Sequence, residues 1–313
     1  MKTLAVGQSK LISTRLAYGC WRLAGSKDAT TASPEKEAAG RAAVIAAYEA
    51  GYTLFDLADI YADGAAERIF GQALREVPEM RGRIVICTKG GIRKAGVPDA
   101  AAPARYDFSG DYLVSACEAS LQRLGIETID LYLLHRPDYL CRPEEVATAF
   151  SRLKLAGKVR EFGVSNFRCS QLELLQQACP MPLVAHQVEI SLGRLDPFND
   201  GTLDQCLARG ITPQAWSPLG GGRLVNGFVD MKDPLHARKQ KLQDTLDLIA
   251  RERGTNRTVI ALAWLLKHPA GIVPVVGSIN PGRIQESTQA DDLELTREEW
   301  YRLYEAAAGQ RLP

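Results

Sequence analysis

Four side chains set the chemistry this sequence can perform: Asp56, Tyr61, Lys89 and His135. A phenol is a weak acid, with a reference pKa of about 10. An ammonium beside it stabilises the phenolate, so Lys89 is expected to lower the pKa of Tyr61. A carboxylate paired with that ammonium, Asp56, holds it in place and keeps it charged. A histidine alongside can hydrogen-bond a carbonyl oxygen and orient it. Together the four groups suit reduction of a carbonyl: a hydride arrives at carbon, negative charge builds on oxygen, and Tyr61 supplies the proton. No side chain donates hydride, so the chemistry requires a reduced cofactor.

Positioning those groups is a task for the elements around them. Short β-branched runs alternate with helical patterns along the whole chain, and this order reads as βαβ units around a parallel sheet. Strands are expected at residues 16–19, 53–56, 84–88, 129–134, 159–164, 184–188, 212–215 and 272–276. Helices are expected at 34–50, 66–75, 110–124, 143–156, 170–178, 203–209, 259–267 and 281–289. Ser33 before Pro34 marks a helix start, and Thr296 with Glu299 fits a capping box that opens one more helix. Residues 235–253 read as a helical insertion after the seventh strand, and 3–6 with 10–13 as a hairpin over the barrel floor.

Eight such repeats close most simply into a single-domain (β/α)₈ TIM barrel with an extra C-terminal helix, covering residues 1–313. An open doubly wound sheet is the alternative. It would usually bring a glycine-rich phosphate loop after an early strand, and neither G-x-G-x-x-G nor G-x-x-x-x-G-K-[ST] occurs. In a barrel the functional residues sit at the C-terminal strand ends. Asp56, Lys89, His135, Ser165, Asn166, Gln187, Trp216, Ser217, Gly277 and Ser278 all end or follow strands, and Tyr61 can fold back over the same rim.

The formal net charge of +1 and the absence of a basic cluster argue against a nucleic-acid partner. No run approaches the length of a membrane span, and no signal-peptide core forms. Seven cysteines, without C-x-x-C spacing, read as buried thiols of a cytoplasmic protein. His186, His236 and His268 show no ligand spacing, so no metal is expected.

The motifs now carry a resemblance. The run from Gly51 to Tyr61 (GYTLFDLADIY), with Gly64 and Glu67 downstream, resembles the aldo-keto reductase signature. Thr88-Lys89 is similar to that family's lysine segment, and Asp130 to Pro137 (DLYLLHRP) to its histidine segment. Gly163 to Phe167 (GVSNF), Gln187 and Trp216-Ser217-Pro218-Leu219 resemble its nicotinamide and pyrophosphate blocks. Gly277 to Ser287 (GSINPGRIQES) resembles its adenosine-phosphate segment.

The resemblance covers residues 19–287 in order, with a flavour of the bacterial YdhF-like branch. It implies an NADP(H)-dependent reductase of small carbonyl compounds and a monomer. Tyr61, Asp56, Lys89 and His135 would be catalytic. Ser165, Asn166, Gln187, Trp216, Ser217, Leu219, Gly277, Ser278, Asn280, Arg283, Glu286 and Ser287 would hold the cofactor, with Arg283 and Ser278 on the 2′-phosphate and Glu286 facing the adenine. Trp21 would wall the substrate pocket. Some members carry lysine where Gly277 stands and asparagine where Ser287 stands, which makes NADPH a preference rather than a requirement. A second reading is a regulatory cofactor-binding protein resembling potassium-channel β-subunits. A metal-dependent barrel hydrolase would need clustered histidines and carboxylates that the strand ends do not supply. Residues 90–108, 220–234 and the short tail after Gly309 are expected to shape an open pocket with a broad preference for small aldehydes, aromatic ones included.

Overall fold

The computed structural model describes residues 1–25, 33–226 and 234–313. Strands β1 (Thr3–Ala5) and β2 (Ile12–Thr14) pair antiparallel as the expected hairpin. Six barrel strands follow in chain order: β3 (Ala17–Gly19), β4 (Leu54–Asp56), β5 (Val85–Gly90), β8 (Ile129–Leu134), β9 (Val159–Ser165) and β10 (Leu183–Glu189). With β11 (Thr212–Trp216) and β12 (Val273–Val276) they close a parallel eight-stranded barrel in sequential order. A second small hairpin, β6 (Ile92–Arg93) with β7 (Arg105–Tyr106), lies in the segment expected only as a pocket loop.

Ten helices complete the described fold: α1 (Pro34–Glu49), α2 (Ala65–Glu76), α3 (Gly110–Leu124), α4 (Pro143–Leu155), α5 (Cys169–Ala178), α6 (Thr202–Arg209), α7 (His236–Glu252), α8 (Arg257–Leu266), α9 (Pro281–Thr288) and α10 (Arg297–Ala308). Ser33 accepts a hydrogen bond from Lys36 N at the start of α1, and Thr296 and Glu299 form the capping box of α10. Helix α7 is the insertion after β11. No described helix is long and apolar enough to cross a membrane. All seven cysteines are free, Cys141 and Cys169 being only partly buried.

Two apolar layers position the site. The larger lies between barrel and helices; the smaller fills the barrel with Ala17, Leu54, Val85, Cys87, Leu131, Leu133, Ala185, Val273 and Val275. Val6 and Leu11 of the hairpin join the inner layer and cover the floor. Side chains alternate along a strand, so the next inward position beyond this apolar plug falls at the upper rim. Leu54 leads to Asp56, Cys87 to Lys89, Leu133 to His135 and Ala185 to Gln187. The two-residue period thus puts the polar groups on one mouth.

Gly90 follows Lys89 at the end of β5. A β-carbon there would land inside the hydroxyl of the fully buried Tyr132. That hydroxyl has no hydrogen-bond partner among the described residues. Gly90→Ala is therefore expected to lower the melting temperature, by ~1–3 kcal/mol of overpacking. Tyr132→Phe, which removes only the obstructing oxygen, should be near-neutral alone and recover part of the loss in the double variant. Thermal melts of the three proteins check this, and equal losses in Gly90→Ala with and without Tyr132→Phe would refute it.

Candidate active site

Lys89 is fully buried, and its ammonium is surrounded by acceptors. It reaches Asp56 Oδ1 at 2.7 Å and Oδ2 at 2.8 Å, the Leu57 carbonyl at 2.7 Å and the Tyr61 hydroxyl at 3.1 Å. Burial is the largest influence on this lysine and favours the neutral amine. Asp56, Tyr61, Cys87 and the hydrogen bond to Asp56 together outweigh it, so its pKa rises and the group stays cationic. An ammonium can only donate, so the Tyr61 oxygen is the acceptor in their contact. The phenolic proton is left free to point elsewhere.

Tyr61 departs from the expectation of a lowered pKa. Burial pushes it up to about 12; the Lys89 charge and hydrogen bond pull it down, but by less. The group is therefore a firmly protonated donor at neutral pH. His135 meets the tyrosine ring edge-on, with centroids 5.9 Å apart. Burial first, then the charges of Lys89 and Arg136, hold its pKa well below the usual histidine value. A neutral imidazole carries one N–H donor, and His135 Nδ1 has no partner among the described residues.

The polar wall opposite is built of amides. Gln187 Nε2 donates to Asp56 Oδ1 at 2.7 Å and to Gln214 Oε1 at 2.9 Å. Trp216 Nε1 donates to Asn166 Oδ1 at 2.9 Å, and Asn166 Nδ2 donates to Ser165 Oγ at 2.7 Å and to the His135 carbonyl at 3.3 Å. Ser165 and Asn166 do not cap the following helix; Arg168 holds the N-cap position, and its backbone N–H donates to Gln171 Oε1 at 3.0 Å. The guanidinium of Arg136 lies 5.7 Å from the Trp216 ring centroid. Ser217 and Asn166 adopt left-handed backbone, as do Ala62 and Asp63 beside Tyr61. These four are the non-glycine residues with positive φ among those described, and all adjoin the site.

Farther round the mouth, Gly277, Asn280 and Arg283 are exposed, and Ser278, Glu286 and Leu219 partly so. The Ser278 carbonyl accepts from the Tyr18 hydroxyl at 2.7 Å, and Asn280 caps α9 through Arg283 N at 3.1 Å. Arg283 has no carboxylate partner among the described residues. Ser287 does not join this surface. It is buried, donates to the Arg283 carbonyl at 2.8 Å and faces Tyr52, because it lies on the core side of α9. Trp21 stands at the rim, 42% exposed, with Arg22 over its ring. Residues 227–233 of the second expected pocket segment lie outside the described residues. No group of three metal-ligating side chains occurs among the described residues.

Two positions escaped the sequence reading. Gln214 was inside an expected strand, and its inward parity among apolar neighbours was the available signal. Asp59 lies between Asp56 and Tyr61, and its backbone N–H donates to the Lys89 carbonyl at 3.0 Å. Its Oδ1 is sealed without a partner among the described residues. Burial, then the nearby Glu67 carboxylate, raise its pKa to about 7, with Arg123 pulling the other way. An unfolded aspartate releases its proton near 3.9. The native chain thus binds the proton more tightly, and this group's contribution to stability is lost as pH rises from about 4 through about 7. Asp59→Asn lacks that loss, so its stability relative to wild type should improve across this window and level off above it. Urea unfolding at pH 4 to 8 tests this; a pH-independent difference would contradict it.

The model of the aldo/keto reductase family matches residues 15–308. A 6-dehydroglucose reductase of Novosphingobium aromaticivorans is 42% identical, covering 98% of this chain and 96% of the relative. The oxidoreductase YdhF of Escherichia coli is 39% identical, covering 84% of this chain and 85% of its own. The solved structure of glycerol dehydrogenase AKR11B4 from Gluconobacter oxydans superposes with a TM-score of 0.87 at 25% identity, covering 98% of this chain and 95% of that one. The chain belongs to the aldo/keto reductase family and resembles its bacterial YdhF-like branch.

Proposed function

We propose that this protein is an NADPH-dependent reductase of small aldehydes and ketones, with Tyr61 as the general acid. The observation that carries the reading is the 3.1 Å contact from Lys89 Nζ to the Tyr61 hydroxyl, which leaves the phenolic proton unspent. A bound reduced nicotinamide supplies the hydride that no side chain can. The donor set suits it: the Trp216 ring, the amides of Asn166 and Gln187 and the Ser165 hydroxyl for the nicotinamide end, and Ser217 and Leu219 beside them for the pyrophosphate. At the adenosine end stand Gly277, Ser278, Asn280 and Glu286, with the guanidinium of Arg283, which has no carboxylate partner among the described residues.

The chain's own residues do the rest. Neutral His135 donates a hydrogen bond to the substrate carbonyl oxygen and aligns it with Tyr61. As that oxygen gains charge, the Tyr61 proton moves to it. Lys89 stabilises the phenolate left behind, and Asp56 keeps the ammonium from following the proton. Alcohol oxidation runs through the same groups in reverse. Trp21 offers an apolar wall at the open rim. The Novosphingobium relative's name adds the aldehyde end of an oxidised sugar to the substrate classes worth testing. We assign the protein to the cytoplasm and treat it as a monomer acting on small molecules.

Absorbance at 340 nm with NADPH and 4-nitrobenzaldehyde is the test of the acid. Tyr61→Phe should cut turnover by ~10²-fold or more while leaving NADPH affinity within a few-fold. Equal turnover in both proteins would rule out the assignment. Arg283→Ala should weaken NADPH by ~10-fold or more and leave NADH nearly unchanged, as expected for loss of a charged hydrogen bond. Equal weakening of both nucleotides would remove the 2′-phosphate contact from the reading.

A further inference from the structure

Gln214 is the anomaly of the barrel interior. It points inward from β11 and is fully buried, two residues below Trp216. The inner layer beneath it is otherwise apolar. Its Oε1 accepts from Gln187 Nε2 at 2.9 Å, while its own Nε2 is sealed without a partner among the described residues. Burying an amide donor unpaired carries a desolvation penalty that methionine or leucine would avoid. A polar residue kept at such a position points to a task for the half that is bonded.

That task follows from donor counting. A glutamine amide has two N–H donors and one carbonyl acceptor. One donor of Gln187 must face the Asp56 carboxylate, because the reverse orientation would set a carbonyl against a negative charge. The other goes to Gln214. The Gln187 Oε1 accepts nothing from the described residues and is not among the sealed atoms. It is the one polar function of this side chain still available to a ligand.

We infer that Gln214 is a positioning residue for the nicotinamide subsite: with Asp56 it takes both N–H donors of Gln187, so that Gln187 meets a bound carboxamide with its carbonyl oxygen alone. The inference rests on the nicotinamide cofactor of the proposed function. An acceptor-only face selects a ligand that brings an N–H. The carboxamide NH₂ of nicotinamide satisfies it, and an acetyl group in the same place does not. Gln214 acts only through Gln187; its loss frees one N–H and lets the amide plane turn.

The experiment uses the full chain and two probes, NADPH and its reduced 3-acetylpyridine analogue, which lacks the amide NH₂. Dissociation constants come from quenching of tryptophan fluorescence. Wild type should prefer NADPH by about tenfold, the worth of one amide hydrogen bond. In Gln214→Met, which keeps an unbranched chain of similar volume, that preference should shrink at least threefold while the melting temperature stays within a few degrees. A merely structural role would weaken both nucleotides equally, and that result overturns the inference. So does an unchanged preference in the variant. If the variant does not fold, wild type still decides: equal binding of the two nucleotides overturns the acceptor-only face. Failure of wild type to bind either nucleotide removes the cofactor reading itself, whereas binding of both without preference removes only the role of Gln214.

Discussion

The buried contact of Lys89 with Asp56 governs the rest of the site. An ammonium with no exposed surface survives only where its donors are all met. Two strands contribute the opposite charges, β4 the carboxylate and β5 the lysine. The Leu57 carbonyl and the Tyr61 oxygen complete the shell. Asp56 is committed further, through Gln187 to β10 and Gln214 to β11. One chain of hydrogen bonds therefore spans the barrel mouth from Tyr61 to the amide wall. The barrel's staggered inward layers make this span possible, since the last inward residue of each strand reaches a common level.

Strain collects where this chain must be met by the loops. Ala62 and Asp63 are left-handed, with φ of 46° and 53°, immediately after Tyr61. Gly64 follows at 81° and starts α2. The left-handed run turns the chain sharply, so Tyr61 folds back over Lys89 instead of continuing outward. A side chain at Gly64 would meet Arg123, which pairs with the buried Glu67 at 2.7 Å. Glu67 also accepts from Thr88 Oγ1 at 2.6 Å, next to Lys89 in sequence. The turn that aims the phenol and the strand that aims the ammonium are thus tied through one ion pair on α2 and α3. Backbone strain of this kind persists only where surrounding contacts over-determine it.

The sequence carried the fold because its elements obey simple periods. Every barrel strand coincides with an expected segment, most of them carrying β-branched residues though Leu16–Gly19 has none, and the capping residues of α1 and α10 marked their starts. The small β6–β7 hairpin was not legible. Its strands have two residues each and are held by the Arg93–Asp107 ion pair at 2.8 Å, a contact fourteen positions apart that no local pattern announces. The gathering of Asp56, Tyr61, Lys89 and His135 at one mouth was legible from strand-end position and chemical type. Two finer properties were not. The pKa of Tyr61 depends on how much water its neighbours displace, a sum over three dimensions that opposes the one visible charge effect. The side of α9 that Ser287 occupies is set by Tyr52, which packs against it from another part of the chain. Resemblance supplied the position of Ser287 but not its direction.

A tyrosine pushed up to about 12 is consistent with the acid role, because a donor must still hold its proton when the substrate arrives. In the proposed reaction an alkoxide formed by hydride addition would be a far stronger base than a phenolate, so transfer would remain downhill. What the site must limit is the cost of the phenolate, and a fixed ammonium in a poorly solvated setting does so without reorganising. Burial and the lysine therefore act on different stages. In the proposed mechanism burial holds the Tyr61 proton more tightly in the resting protein, and Lys89 would stabilise the phenolate as the charge appears. Making Lys89 more exposed would screen its charge, leave Tyr61 farther above its ordinary value and weaken the stabilisation that matters. The same desolvation that complicates the pKa is thus what gives the ion pair its leverage on the reaction.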